Sequence, residues 1–393
     1  MIYDNTSEQF FELVRAGLFP GNAARVLVHG ATVDWHAIYA LAEEQSVAGL
    51  VAAGIDSLPS SERPPQSVVL QFVGTTLQLE QRNKEMNAFV AQLIDGLRKN
   101  DVYTLLVKGQ GIAQCYEKPL WRACGDVDLL LSESNYEKAK AYLMPLATSV
   151  DKEDRTRQHL AMKIDGWVVE LHGSLKSKLW RNLDKGIDAV QRSVFYGGCV
   201  RSVEFHGTNT SVQEQQGGQS RIQVFLPGAN EDVFLVFAHI LQHFFREGIG
   251  LRQICDWIRL LWKYRESLDH GLLESRIRKA GIMTEWKVFA SLAVNCLRMP
   301  MEAMPLFDDN DNHNANLKRK AKRVVAYMLK TGNFGHNKDN SYRERKSLVA
   351  RKAISIWRYT QETVERFLVF PLDSLRVWGM IVMNGVKGLW LRC

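Results

Sequence analysis

GDVDLLL, residues 125 to 131, sets two aspartates at alternate positions of an otherwise apolar run. In an extended strand residues i and i+2 point to the same side, so Asp126 and Asp128 share one face while Val127 and Leu129 occupy the other. Two like charges held that close repel each other. The arrangement becomes sensible with a divalent cation between them, and carboxylates are the hard oxygen donors that suit Mg²⁺. The run is therefore expected to be a strand with one face in a core and one in a site.

Upstream, VYTLLV (102–107) is β-prone and stops at Lys108-Gly109, after which GIAQCYEK reads as one or two helical turns. A strand leading through a glycine turn into a helix exposes backbone N–H groups and the positive end of the helix dipole, which together hold phosphate oxygens. K-G-x-G lacks the longer phosphate-loop spacing, so its weight comes from its position just before the paired aspartates. Downstream, SNYEKAKAYLMPL reads as a helix with Ser132 or Ser134 near its cap. QHLAMKI and GWVVELHG then read as two strands joined by the turn Asp165-Gly166. In the second, alternation puts Val168, Glu170 and His172 on one face and Trp167, Val169 and Leu171 on the other. Paired beside the Asp126 strand, Glu170 would complete a three-carboxylate cluster able to hold two metal ions, an arrangement that serves in-line displacement at phosphorus.

Lys108-Gly109, Arg122, the GDVDLL run and Val169-Glu170-Leu171-His172 together resemble a bacterial family of uncharacterised nucleotidyltransferases, within the superfamily typified by DNA polymerase beta. The resemblance also takes in DWHAIYALAEEQSVAGL and HILQHFFREGIGLRQICDW, and so most of residues 30 to 265. It implies an α+β fold: a polymerase-beta-like core with a small mixed sheet, flanked by amino- and carboxy-terminal helical regions. It also implies Mg²⁺-dependent transfer of a nucleoside monophosphate from an NTP to an acceptor hydroxyl, with release of pyrophosphate. Asp126 and Asp128 would bind both of two Mg²⁺ ions, for which Mn²⁺ could substitute. Glu170 would bind the ion that activates the acceptor hydroxyl, or orient that hydroxyl. Lys108, Gly109 and Gln110 would cradle the β- and γ-phosphates. Two features depart from the superfamily: Gln110 stands where Ser is common, and the interval from Gly109 to Asp126 is longer than usual.

The surrounding residues each admit two readings. Arg122 could clamp a phosphate through its planar fork of donors, or pair with Asp126 or Asp128. Lys108 is either a phosphate ligand or a solvated loop lysine. Glu170 has a structural ion pair with a helix arginine as its alternative. His172 could contact phosphate or shuttle a proton, or be a hydrogen-bonded structural residue. His239 and His243, four apart on a helix, have no nearby third ligand to make a zinc site specific, and are expected to line a cleft or pack in a core. His243, Arg252 and Asp256 could wall the active cleft, while Arg252 and Asp256 also fit a helix salt bridge.

The chain of 393 residues, 46% hydrophobic and 24% charged, is long enough for a sizeable core. Three regions are expected: a helical one over 1–100, a catalytic core over 101–228 and a second helical one over 229–393. The Pro64-Pro65 pair marks the start of a long amphipathic helix, and Asn230 is placed to cap a helix beginning at Glu231. HGTNTSVQEQQGGQS (206–220) reads as a loop. The net charge of +7 makes an anionic partner plausible. NLKRKAKR (316–323) and SYRERKSLVARK (341–352), with Trp357, Trp378 and Trp390 beyond, are either solvated helix faces or an electrostatic site for RNA or anionic lipid. Six scattered cysteines, no secretory start at MIYDNTSEQFFEL and a charge-interrupted apolar tail lead us to expect a cytoplasmic protein without a membrane span. The acceptor, whether small molecule, sugar, protein or RNA, stays open. So do two rivals: a toxin-like or RNA-modifying transferase, and a degenerate protein that binds nucleotide without turnover.

Overall fold

The computed structural model describes residues 4–19, 32–206, 221–333 and 348–390. Three short helices open it: α1 (Asn5–Leu18), α2 (Trp35–Glu44) and α3 (Ala48–Asp56). The carboxylates of Asp4 and Asp34 cap the first two by accepting from the backbone N–H groups of Ser7 and Ala37. The 34-residue α4 (Gln66–Lys99) starts directly after the Pro64-Pro65 pair.

The strands follow, interleaved with helices: β1 (Thr104–Val107), α5 (Gly109–Ala113), β2 (Asp126–Leu131), α6 (Glu133–Leu143), β3 (Ser149–Val150), β4 (His159–Ile164) and β5 (Trp167–His172). They form one sheet in the order β1-β2-β5-β4-β3, with β2 and β5 parallel and the other neighbours antiparallel. Asp165 and Gly166 join β4 to β5 with φ of 48° and 84°, as a two-residue hairpin turn with positive φ at both positions requires.

Next come α7 (Arg181–Tyr196) and an antiparallel ribbon of β6 (Val200–His206) and β7 (Arg221–Pro227), followed by α8 (Ala229–Arg246) and α9 (Leu251–Tyr264). The chain continues through α10 (His270–Ala280), α11 (Met283–Asn295), α12 (Asp309–His313) and α13 (Ala315–Thr331), then α14 (Leu348–Phe367) and α15 (Pro371–Trp390). This is the expected α+β architecture, a small mixed sheet with helical flanks.

Side-chain alternation decides which way the sheet faces. Val127, Leu129 and Leu131 of β2, with Val169 and Leu171 of β5, are buried against Met86, Val90, Ile94 and Leu97 of α4 and Tyr136, Ala139 and Leu143 of α6. Burial of each large apolar side chain stabilises by about 1.5–3 kcal/mol. A one-residue slip of β2 would drive Asp126 and Asp128 into that core, so its apolar face fixes the register of its acidic face. A second core joins the two helical regions: Phe10, Leu13 and Val14 of α1 belong to the same buried cluster as Trp257 of α9 and Trp286 and Phe289 of α11. Arg15 Nε also donates to the Cys296 carbonyl at 2.9 Å.

Two details differ from the sequence reading, the start of α8 and the presence of α7 with β6. Helix α8 starts at Ala229 with Gly228 at its cap, and Asn230 instead exchanges hydrogen bonds with the Asp269 backbone, accepting from its N–H and donating to its C=O. Ser132 sits at the cap of α6, as expected, and its hydroxyl accepts from Asn135 Nδ2 rather than from the helix backbone. The turn after β1 leads into the five-residue α5, between one and two helical turns as expected. Helix α7 and strand β6 were not anticipated, although Leu183, Ile187, Val190 and Val194 of α7 do bury one face at helical spacing. The expected loop, beyond His206, lies outside the described residues, as do residues 341–347 of the second basic run. Among the described residues no helix is long and apolar enough to cross a membrane.

Candidate active site

The parallel pairing of β2 and β5 sets Asp126 opposite Val168, Asp128 opposite Glu170 and Leu130 opposite His172. Partners across a strand pair point to the same face, so the three carboxylates and His172 come together on the side away from α4 and α6. Strand β4 adds His159, directly opposite His172. Strand β1 sets Val107 opposite Asp128, and the next residue, Lys108, reaches over with its Nζ 2.9 Å from Asp128 Oδ1.

Lys108 holds φ 57° and ψ −144°, a conformation uncommon outside glycine, and Gly109 follows at φ 37°. A Cβ added at Gly109 would lie 3.2 Å from Cys124 Sγ and 3.4 Å from the Asp126 carbonyl. The turn is therefore packed onto the segment that enters β2, which is a close approach that favours glycine.

Charge within the cluster is unevenly balanced. His172 Nε2 lies 2.8 Å from Asp128 Oδ1 and 3.4 Å from Glu170 Oε2, and His159 Nε2 lies 3.2 Å from the same Glu170 oxygen. Burial alone would raise Asp128, but Lys108 and His172 outweigh it and its carboxyl titrates below the ordinary value. Burial likewise opposes ionisation of Glu170, whose hydrogen bonds from His159 and His172 pull it well down. His172 itself is raised: burial works against its charge, and its bonds to Asp128 and Glu170 overcome that. Burial also works against the Lys108 charge, and Asp128, Glu170 and Asp126 together raise it. Asp126 goes the other way. The charge of Asp128 beside it, then burial, push it up. The protein's own cations thus neutralise Asp128 and Glu170 but leave Asp126 opposed, the condition that a bound divalent cation relieves. The oxygen donors fit Mg²⁺ or Mn²⁺.

The cluster forms one wall of a cavity of about 450 Å³. Across it stand α8, with Asp232, Leu235, Val236, His239 and His243, and α9, with Arg252 and Asp256. Arg157 and Lys176 also line it, paired with Asp154 at 2.8 Å and Asp188 at 2.9 Å. His239 Nε2 and His243 Nε2 are 3.0 Å apart, and burial followed by the Lys108 charge drives His239 well below its ordinary value, so it is neutral near pH 7.

A family model described as "Uncharacterised nucleotidyltransferase" matches residues 31–298 of the chain. The chain belongs to that family. No curated protein and no solved structure matches it. The nucleotidyltransferase match spans α2 to α11 and so includes the sheet, the acidic cluster and both cleft-forming helices.

Several candidate residues stand away from the expected roles. Arg122 contacts neither Asp126 nor Asp128: its Nε and Nη2 donate to the two carboxylate oxygens of Asp256 at 2.8 and 2.7 Å, both residues being almost fully buried. Tyr116 Oη donates to the same carboxylate at 2.7 Å, so Asp256 serves the loop before β2, and Arg252 Nη1 meanwhile donates to the Ala123 carbonyl. The Gln110 side chain turns away from the cavity and donates to Asn83 Oδ1 of α4 at 2.7 Å. Asn83 in turn donates to the carbonyls of Leu120 and Arg122. Glu170 pairs with histidines of its own sheet rather than with a helix arginine. His243 does line the cleft, with its Nδ1 2.9 Å from Glu247. His159, Asn83, Arg157 and Lys176 were not singled out from the sequence. For His159 a signal existed, since the Asp165-Gly166 hairpin turn fixes which β4 residue faces His172.

Proposed function

We propose that the chain transfers a nucleoside monophosphate from an NTP to an acceptor hydroxyl with release of pyrophosphate, using divalent cations at Asp126, Asp128 and Glu170. The observation that carries the reading is the parallel register of Asp128 with Glu170, which gathers three carboxylates on one cavity wall. Cations bound there supply charge stabilisation on the triphosphate and lower the pKa of the acceptor hydroxyl. The chain's own residues do the rest. Lys108 and His172 hold Asp128 ionised and oriented, while Arg157, Lys176 and Arg252 bring positive charge to the edge where a triphosphate would lie. Leu175, Ile187, Leu235 and Val236 give an apolar wall suited to a nucleoside, in a volume typical of ligand pockets. The Arg122–Asp256 pair fixes the entry to β2 and so the aim of Asp126.

The test is to measure binding of each NTP with Mg²⁺, and to incubate the protein with α-labelled NTPs and a cell extract. Label should enter an acceptor with wild-type protein and fail to do so with Asp126→Asn/Asp128→Asn. Absence of Mg·NTP binding, or label transfer that survives the double substitution, would sink the mechanism.

A further inference from the structure

We infer that His159, Glu170 and His172 form a mixed imidazole–carboxylate metal site, and that one cation position of this centre takes a first-row transition metal in preference to Mg²⁺. The metal site stands on its own geometry, and its role in nucleotidyl transfer rests on the function proposed above. His159 Nε2 and His172 Nε2 lie 3.2 and 3.4 Å from the same oxygen, Glu170 Oε2. All three donor atoms lie within 4.8 Å of one another. Metal bonds of about 2.0–2.2 Å at tetrahedral angles separate neighbouring donors by roughly 3.4 Å. Two of the three separations already have that value, and the imidazoles need only close on each other. Their rings are tilted by 34° with centroids 4.8 Å apart, so both imidazoles already stand beside the same carboxylate oxygen.

The placement distinguishes this set from the aspartate pair. His159 and His172 come from adjacent antiparallel strands in direct register, so the backbone holds both rings at the cavity wall. His172 is 7% exposed, and its Nε2 also lies 2.8 Å from Asp128 Oδ1, so a metal on that nitrogen replaces the proton it shares with Asp128 and Glu170. The chemistry then selects the ion. Mg²⁺ demands oxygen ligands and holds its water, whereas imidazole suits the later divalent ions, with affinity rising from Mn²⁺ towards Zn²⁺. Asp126 and Asp128 remain an oxygen-only pair, suited to Mg²⁺.

The experiment uses the full chain and three metals alone: Mn²⁺, Zn²⁺ and Mg²⁺. Bound Mn²⁺ is read by electron spin resonance for coupling to imidazole nitrogen, and affinities come from calorimetry. Wild type should show nitrogen coupling and bind Mn²⁺ at least tenfold tighter than Mg²⁺, with Zn²⁺ displacing Mn²⁺. His159→Ala should weaken Mn²⁺ tenfold or more and Mg²⁺ by a much smaller factor, and His159→Asp should restore metal binding without the nitrogen signal from that position. Mn²⁺ bound without nitrogen coupling, or bound equally well by wild type and His159→Ala, overturns the inference. If the nitrogen signal is present but the protein binds no NTP, the metal site stands and the transfer reading falls. If Mg·NTP binding is intact and nitrogen coupling is absent, the reverse holds.

Discussion

Substituting Asp256 separates the two roles open to Arg122. The side chains of Arg122 and Asp256 are each 6% exposed and meet through two bonds of 2.8 and 2.7 Å. Asp256→Ala strands a buried cation, and breaking one side of a buried pair costs about 3–5 kcal/mol. It also strips Tyr116 Oη of its acceptor, an unsatisfied group worth about 1–3 kcal/mol, which moves the expected loss to the upper part of that range. Arg122→Met/Asp256→Leu removes both charges at similar volume and should lose less than either single change, because desolvating the pair offsets much of its attraction. Urea unfolding at constant m-value measures all three variants, and titration with Mg·NTP reports on the cleft. A loss below about 1 kcal/mol for Asp256→Ala would refute the structural role. So would an Arg122→Met variant with wild-type stability and abolished nucleotide binding, which would make Arg122 a phosphate clamp.

Two further outcomes follow from buried polar groups. Gln110→Leu removes the donor to Asn83 Oδ1 and should cost about 1–3 kcal/mol in unfolding while leaving Mg·NTP affinity unchanged, since the side chain faces α4; a tenfold affinity loss at full stability would return Gln110 to the phosphates. Glu285 of α11 is pushed from 4.5 up to about 8, by burial first and then by sharing a hydrogen bond with Asp373 of α15. A carboxyl raised on folding favours the protonated folded state, so its contribution is complete below pH 4.5 and is lost as pH climbs to about 8. Glu285→Gln should remove that slope, a gain on the order of a few kcal/mol at pH 8, measured as unfolding free energy at pH 5 and pH 8. Parallel pH dependence in wild type and variant would contradict the shared proton.

The acidic face of β2 was legible because period-two alternation carries its own evidence: three apolar residues had to face a core, which left Asp126 and Asp128 together on the other side. The hairpin of β4 and β5 was legible from Asp165-Gly166 for the same local reason. The pairing of β2 with β5 was not readable locally, because parallel strands far apart in sequence leave no turn to read; the need for a third carboxylate and the family resemblance of Val169-Glu170-Leu171-His172 pointed to Glu170. The fate of Arg122 lay further off still. Its partner Asp256 is more than a hundred residues away, on a helix whose own i, i+4 spacing offered Arg252 as the nearer match for Asp256. Gln110 shows the same limit, since a polar residue in a glycine turn reads as exposed until Asn83 of α4 supplies a buried partner.

His159 marks where a local rule, carried one step further, would have reached the site. With Ile164 and Trp167 flanking the two-residue turn, an antiparallel ladder pairs His159 with His172 five positions back. The alternation that places Glu170 and His172 on one face then places His159 on that face too. All that was needed beyond the hairpin was the parallel contact of β5 with β2, which carries His172 to Asp128 and sets His159 beside Glu170. The site is thus assembled from two local patterns, an alternating acidic strand and a tight hairpin, joined by one long-range strand pairing. Any change that shifts that single pairing by one residue would replace Glu170 with Val169 or Leu171 on the cavity wall and bury the carboxylate under α4, so metal binding and sheet stability should fail together.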